Sequence, residues 1–210
     1  MNRTSLANIP PGRYFEYALV LNPNEDLQQK ILMIKKGFSE RYKVYSPLFY
    51  TKPYITLVKF IQAEIMEPRL ANRLKTIASA YSSFNVELKD FGSYPSHTLF
   101  INLESKQQLQ NLSKQLRSAQ QLMTWDKDNK AHFLTNPNIT IAARLLPWQY
   151  EQGWLDYSHR HFSGRFIANG MLLLKRILKM GDSSPNSKYQ TVQKFDFMNL
   201  KINQAQAELF

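Results

Sequence analysis

The apolar positions of the chain repeat with two different periods, and these predict a regular series of strands and helices. Period-two alternation predicts strands at residues 84–90 and 98–103, and apolar segments of strand length predict further strands at 14–21, 55–61, 138–143, 162–168 and 171–179, with a candidate edge strand at 189–197. Helical spacing predicts helices that begin near Asn22, Pro68, Ser105 and Trp148. The first of them has a capping-box-like start with Pro23 at the first helical position, and Ser105 is the expected cap of the third.

The order of these elements predicts the fold class. Strand, helix, strand, helix, strand, strand fills the first half, and the later part of that order returns in the second half. This order favours an α+β fold with two pseudo-symmetric lobes, each an antiparallel-rich sheet with helices on the outside, around a central cleft. Residues 1–210 then form a single two-lobed domain, with a loop at 181–188 and a polar tail at 199–210.

A short internal repeat supports the two lobes. The segments 49–57 (FYTKPYITL) and 133–141 (FLTNPNITI) agree at Phe, Thr, Pro, Ile and Thr, at a fixed offset of 84 residues. In each copy Pro disfavours helix just ahead of a strand, and alternation then places the polar side chains on one face and the aliphatic ones on the other. The polar side chains are Tyr54, Thr56, Asn138 and Thr140. We expect them to face each other across the cleft, where two converging hydroxyls suit a phosphate.

Pro53-Tyr-Ile-Thr56 and Pro137-Asn-Ile-Thr140 resemble the paired motifs of the two-histidine phosphoesterases, which include 2'-5' RNA ligase-like proteins and cyclic phosphodiesterases. The mark of that family is a His-x-Thr at each of two strands, usually after Pro. The segments 162–166 and 171–175 look like its closing pair of strands, so the resemblance covers about residues 14–179. It implies metal-independent chemistry without a cofactor, and phosphate binding by the two threonines.

The chain departs from the family at its two catalytic positions, because Tyr54 and Asn138 stand where the family has histidine. In the family one neutral histidine takes a proton and the other, protonated, gives one to the leaving oxygen, which a pKa of about 6.5 allows. A tyrosine is a poor base at neutral pH, and an amide does not titrate. Each lost acid or base typically lowers a rate by about 10²–10⁴, so we expect histidine-type catalysis to be nearly extinguished.

Other groups could assist at such a site. His132 precedes Asn138 by six residues, where a loop could bring it to the mouth of the cleft, and His97 opens a strand. Arg144 shares strand parity with Asn138 and Thr140, and four residues of strand place it roughly 13 Å from Thr140. It could therefore meet a neighbouring phosphate of a longer ligand.

Charge and composition narrow the function further. The chain has 27 Lys and Arg against 16 Asp and Glu, a net charge of +11, which favours RNA or a nucleotide phosphate as partner. Cysteine is absent, which excludes disulfides, thiolate metal sites and cysteine nucleophiles. His159 and His161 lack further ligands nearby, so we predict no metal site. No apolar run approaches the roughly 20 residues of a membrane span, and no secretory peptide is recognised, so we expect a cytoplasmic protein without a membrane partner.

Three interpretations of function follow. The first is a catalytically degenerate protein that binds RNA ends or nucleotide phosphates in the cleft. The second is an active phosphoesterase or RNA ligase that uses substitute groups such as His97, His132 or Tyr54. The third is a protein-interaction role. For the motif residues themselves a purely structural interpretation also stays open: the threonines as ordinary strand residues, Tyr54 packed over the lobe interface and Asn138 as a turn or cap residue.

Overall fold

The computed structural model of the protein describes residues 13–45, 51–127, 129–178 and 188–198. The strands are β1 (Tyr14–Leu21), β2 (Ile55–Ala63), β3 (Phe84–Tyr94), β4 (Thr98–Leu103), β5 (His132–Phe133), β6 (Ile139–Ala142), β7 (Ser163–Ala168), β8 (Gly170–Ile177) and β9 (Gln190–Asp196). The helices are α1 (Glu25–Tyr42), α2 (Glu67–Ser79), α3 (Lys106–Leu116), α4 (Gln120–Met123) and α5 (Pro147–Ser158). Short 3₁₀ turns precede α2 and α4.

The strands form two antiparallel sheets, which confirms the α+β class. One sheet has the order β5-β2-β1-β8-β9 and the other β6-β4-β3-β7. We call β2 and β6 the motif strands, because each begins with the last three residues of one copy of the repeated segment. In each sheet the motif strand pairs with an earlier strand of the same sheet: β2 pairs with β1, with α1 between them in the chain, and β6 pairs with β4, with α3, α4 and β5 between them. The two lobes therefore share the same local topology, as the internal repeat predicts.

The helices bury one face of each sheet. α1 and α5 contact the four-stranded sheet, whereas α2, α3 and α4 contact the five-stranded sheet. A single buried cluster contains side chains from both sheets, with Leu19 and Ile55 from one and Ile101 and Ile139 from the other. α1 follows β1 of the five-stranded sheet in the chain but packs on the four-stranded sheet, so it connects the two lobes. We call the opposite side of each sheet its helix-free face.

The first helix begins later than the capping pattern predicts. α1 starts at Glu25 with Asn24 as its N-cap and without a side-chain cap bond, so Pro23 lies outside it. The Asn22 side chain accepts a hydrogen bond from the Gln28 amide at 3.0 Å instead of capping the helix. Ser105 is the N-cap residue of the third helix, as predicted, but its hydroxyl forms no cap bond and instead accepts the Glu87 N–H at 2.9 Å.

Strand β3 is longer than predicted. It continues past Asp90 to Tyr94, because a register shift at Asp90 (φ 54°) absorbs one residue and the pairing with β4 then resumes. Gly92 lets the strand continue, since a Cβ there would lie 2.6 Å from the Phe100 ring. The hairpin of β3 and β4 is confirmed, with a longer first strand.

The C-terminal part of the described chain is an edge strand. β9 pairs with β8 at the edge of the five-stranded sheet, as expected for the last strand. Of the loop predicted at 181–188, only Lys188 lies within the described residues, and the tail at 199–210 lies outside them. Among the described residues, no helix is long and apolar enough to span a membrane.

A buried lysine makes the stability depend on pH. Lys35 on α1 is 2 % exposed, and its Nζ lies 3.3 Å from the Thr51 carbonyl oxygen. Burial lowers the pKa of Lys35 to about 8. Between about pH 8 and the ordinary lysine pKa of about 10.4, the unfolded chain holds a proton that the folded chain has lost. The free energy of unfolding therefore falls as the pH drops through this window and stays low below it.

We therefore expect Lys35→Met to raise the free energy of unfolding at pH 7 by about 1–3 kcal/mol. Its advantage over wild type should shrink as the pH rises from about 8 to 10. Urea unfolding across this range measures the difference. Lys36→Met, at the exposed neighbouring position, is the control and should give a small difference that does not vary with pH. A constant gap between Lys35→Met and wild type would contradict the expectation.

Candidate functional site

The two motif strands contain the same backbone irregularity. In the β1–β2 pair, Val20 lies opposite Thr56 and Leu19 opposite Val58, so Leu57 is an extra, unpaired residue. The β4–β6 pair repeats this one-residue bulge directly after Thr140. There Phe100 lies opposite Thr140 and Leu99 opposite Ala142, which leaves Ile141 unpaired. The bulges are 84 residues apart, at the offset of the sequence repeat.

The cross-strand partners show which way the two threonines point. Leu57 and Ile141 are buried in the main core, next to a threonine that is only partly buried. Thr56 lies opposite Val20, which belongs to the helix-free face, and Thr140 lies opposite Phe100, which is outside the main core. Both threonines are therefore on the helix-free faces of their sheets, as the alternation predicts.

In the first motif, Tyr54 lies over the helix-free face of the five-stranded sheet. Its ring packs against a small apolar cluster of Ala18, Val20 and Leu174 that is separate from the main core. Burial raises the pKa of Tyr54 above its usual value. Among the described residues its hydroxyl has no hydrogen-bond partner. Tyr54 is therefore a neutral phenol at physiological pH, held by packing.

The second motif is organised by a residue that the sequence analysis missed, Tyr94. Its hydroxyl accepts hydrogen bonds from the side-chain amides of Asn138 at 3.0 Å and Asn136 at 3.1 Å. Asn138 in turn accepts a long hydrogen bond, 3.5 Å, from the Thr140 hydroxyl. The Tyr94 ring packs on Phe100 with 4.4 Å between ring centroids. Asn138 is thus a hydrogen-bonded side chain of fixed orientation beside Thr140.

The chain also limits how far apart the two motifs can lie. β5 pairs with β2, and the Leu134 N–H donates to the carbonyl of Leu57 at 3.0 Å, next to Thr56. Four residues later the chain reaches Asn138, and four residues span at most about 14 Å when fully extended. The start of the second motif strand is therefore tethered within a short distance of the first.

The two histidines considered as substitute catalytic groups, His132 and His97, lie in different parts of the fold. His132 is in β5 rather than in a loop, opposite Lys59 of β2, and is exposed. His97 lies in the turn between β3 and β4 with φ 58°. Its Nδ1 is 3.1 Å from the Leu145 carbonyl oxygen, and its ring stacks on Tyr150 of α5 at 5.0 Å. These contacts hold His97 towards α5.

The strand parity predicted for Arg144 is wrong. β6 ends at Ala142, one residue earlier than predicted, and the bulge at Ile141 has already broken the alternation. Arg144 is exposed and has a left-handed backbone, φ 57°. Its position relative to Thr140 therefore cannot be derived from a straight strand, and a phosphate contact by Arg144 stays a prediction.

One cavity lies away from the motif strands. A cavity of about 550 Å³ opens between α2, α3 and the start of β3, with Ile77, Tyr81 and Gln108 in its lining. Within the described ranges, no three His, Asp or Glu side chains lie close enough together to hold a metal ion.

Comparison with known proteins identifies the family. Residues 38–178, about two thirds of the chain, match the model of the 2'-5' RNA ligase superfamily, so the chain belongs to that superfamily. No curated protein matches the chain closely enough to count as a relative.

Solved structures share the fold at low identity. Escherichia coli LigT in complex with 3'-AMP is 12 % identical, with a TM-score of 0.60 and coverage of 89 % of this chain and 99 % of LigT. The protein TT0787 of Thermus thermophilus is 17 % identical, with a TM-score of 0.62 and coverage of 88 % of this chain and 99 % of TT0787. LigT in complex with phosphate is 13 % identical, with a TM-score of 0.51 and coverage of 89 % and 99 %. These likenesses show that the two-sheet fold is that of LigT.

Proposed function

We propose that the protein is a catalytically degenerate member of its superfamily that binds a phosphate-bearing nucleotide or RNA end between the two motif strands without hydrolysing it. The observation that supports this most directly is the duplicated local structure. Each motif strand presents a threonine on the helix-free face, followed by a bulge, while the residue two positions earlier has no useful acid–base chemistry.

The groups at the two family histidine positions fail for different physical reasons. Tyr54 is a neutral phenol whose pKa is raised by burial, so it does not act as a base near neutral pH. The Asn138 amide does not titrate, and it is engaged by Tyr94 and Thr140. Hydroxyl and amide groups nevertheless bind phosphate oxygens well. The site would keep the binding part of the family's chemistry and lose proton transfer.

The choice of ligand rests on charge and on the superfamily's relatives. LigT has been crystallised with 3'-AMP and with phosphate, so its fold accommodates a nucleotide and an isolated anion. This chain has a net charge of +11, which attracts polyanions. We therefore expect a nucleotide phosphate to be the recognised group.

The wild-type protein should bind 3'-AMP but should not hydrolyse 2',3'-cyclic AMP above the uncatalysed rate. Isothermal titration calorimetry measures the binding, and chromatography of the reaction products measures hydrolysis. Thr56→Val and Thr140→Val preserve the shape of the side chain and remove one hydroxyl each. Each should weaken 3'-AMP binding by about tenfold or more, because a hydrogen bond to a charged group contributes about 1.5–3 kcal/mol.

Two outcomes would contradict the proposal. Turnover by wild type that disappears in His97→Ala or His132→Ala would establish an active enzyme with a relocated histidine. Absence of binding to any phosphate-bearing nucleotide at low salt would favour the protein-interaction role. Circular dichroism of the threonine variants serves as the folding control.

A further inference from the structure

The strand register places Lys59 close to Thr56, on the same face of the sheet. Because Leu57 is unpaired, Thr56 and Lys59 lie opposite Val20 and Ala18, which are only two residues apart on β1. The two positions are thus separated by about 6.8 Å along the sheet, instead of the roughly 10 Å that three regular strand residues span. That shorter spacing is close to one nucleotide step along a nucleic-acid strand.

Other polar groups gather around Lys59. His132 is its direct cross-strand neighbour on β5. Lys59 and Lys130 line a cavity of about 230 Å³ together with Asn129 and Glu16. Within the described part of the chain, Lys59 and Lys130 have no ion-pair partner. Two exposed ammonium groups and an imidazole therefore lie beside the first motif strand.

Two acidic groups among the described residues nearby, Glu16 and Asp126, accept hydrogen bonds from other residues. The Glu16 carboxylate accepts hydrogen bonds from Arg176 at 2.6 to 3.1 Å and from the Tyr189 hydroxyl at 2.6 Å. Asp126 accepts hydrogen bonds from the backbone and side chain of Asn129. Arg176 therefore compensates the charge of Glu16, whereas the bonds from Asn129 leave the charge of Asp126 in place. Among the described residues, the charges of Lys59 and Lys130 exceed that one carboxylate, so an anion beside Lys59 meets a net positive charge.

We propose that Lys59, assisted by His132 and Lys130, binds the phosphate next to the one at Thr56, so that the ligand is an oligonucleotide rather than a mononucleotide. This inference rests on the proposed function, because it takes the phosphate at Thr56 as its starting point. Lysine is a flexible point charge, so the contact recognises the backbone and not the base sequence.

The test compares two ligands in the full-length protein, 3'-AMP and a five-nucleotide single-stranded RNA with a 3'-phosphate. Lys59→Gln should leave 3'-AMP binding unchanged and weaken RNA binding by about fivefold at 0.1 M salt. The magnitude follows from counterion release, since one phosphate contact to a single strand contributes about 0.7 to the slope of log K against log salt. That slope should therefore become shallower by about 0.7. Lys75→Gln, an exposed site on α2, is the matched control and should change neither affinity.

The outcomes separate the two proposals. If wild type binds neither ligand, the proposed function fails. If wild type binds 3'-AMP and Lys59→Gln leaves the affinity and salt slope for RNA unchanged, the second phosphate site is refuted while the first stands. If Lys59→Gln weakens both ligands equally, Lys59 belongs to the first phosphate, and the oligonucleotide inference is also refuted. Thermal unfolding of each variant confirms that it is folded.

Discussion

The double variant Tyr54→His/Asn138→His should hydrolyse 2',3'-cyclic AMP at least about 10²-fold faster than wild type, because it restores one proton acceptor and one proton donor beside two existing threonines. Neither single change should suffice, since acid and base act as a unit. The rate should follow a bell-shaped pH profile, because one imidazole must be neutral while the other is protonated. Steady-state kinetics between pH 5 and 9 measures both features.

The two positions are not equally prepared for histidine. At 138 the Tyr94 hydroxyl lies 3.0 Å from the present amide nitrogen, so it can accept a hydrogen bond from an imidazole N–H and orient the ring. At 54 the present side chain is held by packing on Ala18, Val20 and Leu174. A histidine there is oriented less well, and this position should limit the recovered rate. Adding Tyr94→Phe to the double variant should lower its gain about tenfold or more.

The matched control is Tyr54→Gln/Asn138→Gln, which introduces polar side chains that do not titrate. It should show no gain, and adding Thr56→Val to the double histidine variant should abolish most of the gain. If the glutamine variant gains as much as the histidine variant, relief of Tyr54 packing and not proton transfer explains the rate. If the histidine variant binds 3'-AMP and gains nothing, the two positions are not aligned with the phosphate.

The sequence predicts the scaffold well because alternation and helical spacing report directly on burial. Both motif strands, their order and the faces of Thr56 and Thr140 follow from such patterns. Register shifts are harder to predict from the sequence, because they depend on pairing with a neighbouring strand. A signal was present nonetheless: Leu57-Val58 and Ile141-Ala142 are consecutive apolar residues that interrupt strict alternation directly after each threonine.

The side-chain partners at the site could not be predicted. Tyr94 reaches Asn138 only because β3 continues past the irregularity at Asp90, where the alternating pattern stops. His97 is held towards α5 by Leu145 and Tyr150, contacts that depend on tertiary packing and a left-handed turn. Long-range contacts of this kind leave no periodic trace in a single sequence.

A second large effect is expected at the ion pair between Glu16 and Arg176, which lies on the helix-free face of the five-stranded sheet. Arg176→Met should lower the free energy of unfolding by about 2–4 kcal/mol. The side chains of Arg176 and Glu16 are only 18 % and 21 % exposed, so the substitution leaves a mostly buried carboxylate with Tyr189 as its remaining hydrogen-bond donor. Urea unfolding at neutral pH measures the change. The Arg176 guanidinium also lies 4.6 Å from the Tyr189 ring centroid, so its loss removes packing as well.

A double-mutant cycle separates these causes. If the uncompensated charge dominates, Glu16→Gln/Arg176→Met should be more stable than Arg176→Met alone, although it carries one more substitution. If lost packing on Tyr189 dominates, the second substitution should give no recovery of stability.

The same pair of variants also tests ligand binding, because Glu16 lines the cavity beside Lys59. Arg176→Met leaves the Glu16 carboxylate uncompensated and should therefore weaken RNA binding. Glu16→Gln/Arg176→Met removes that negative charge and should restore RNA binding. Equal RNA affinity in both variants would show that Glu16 does not face the bound phosphate.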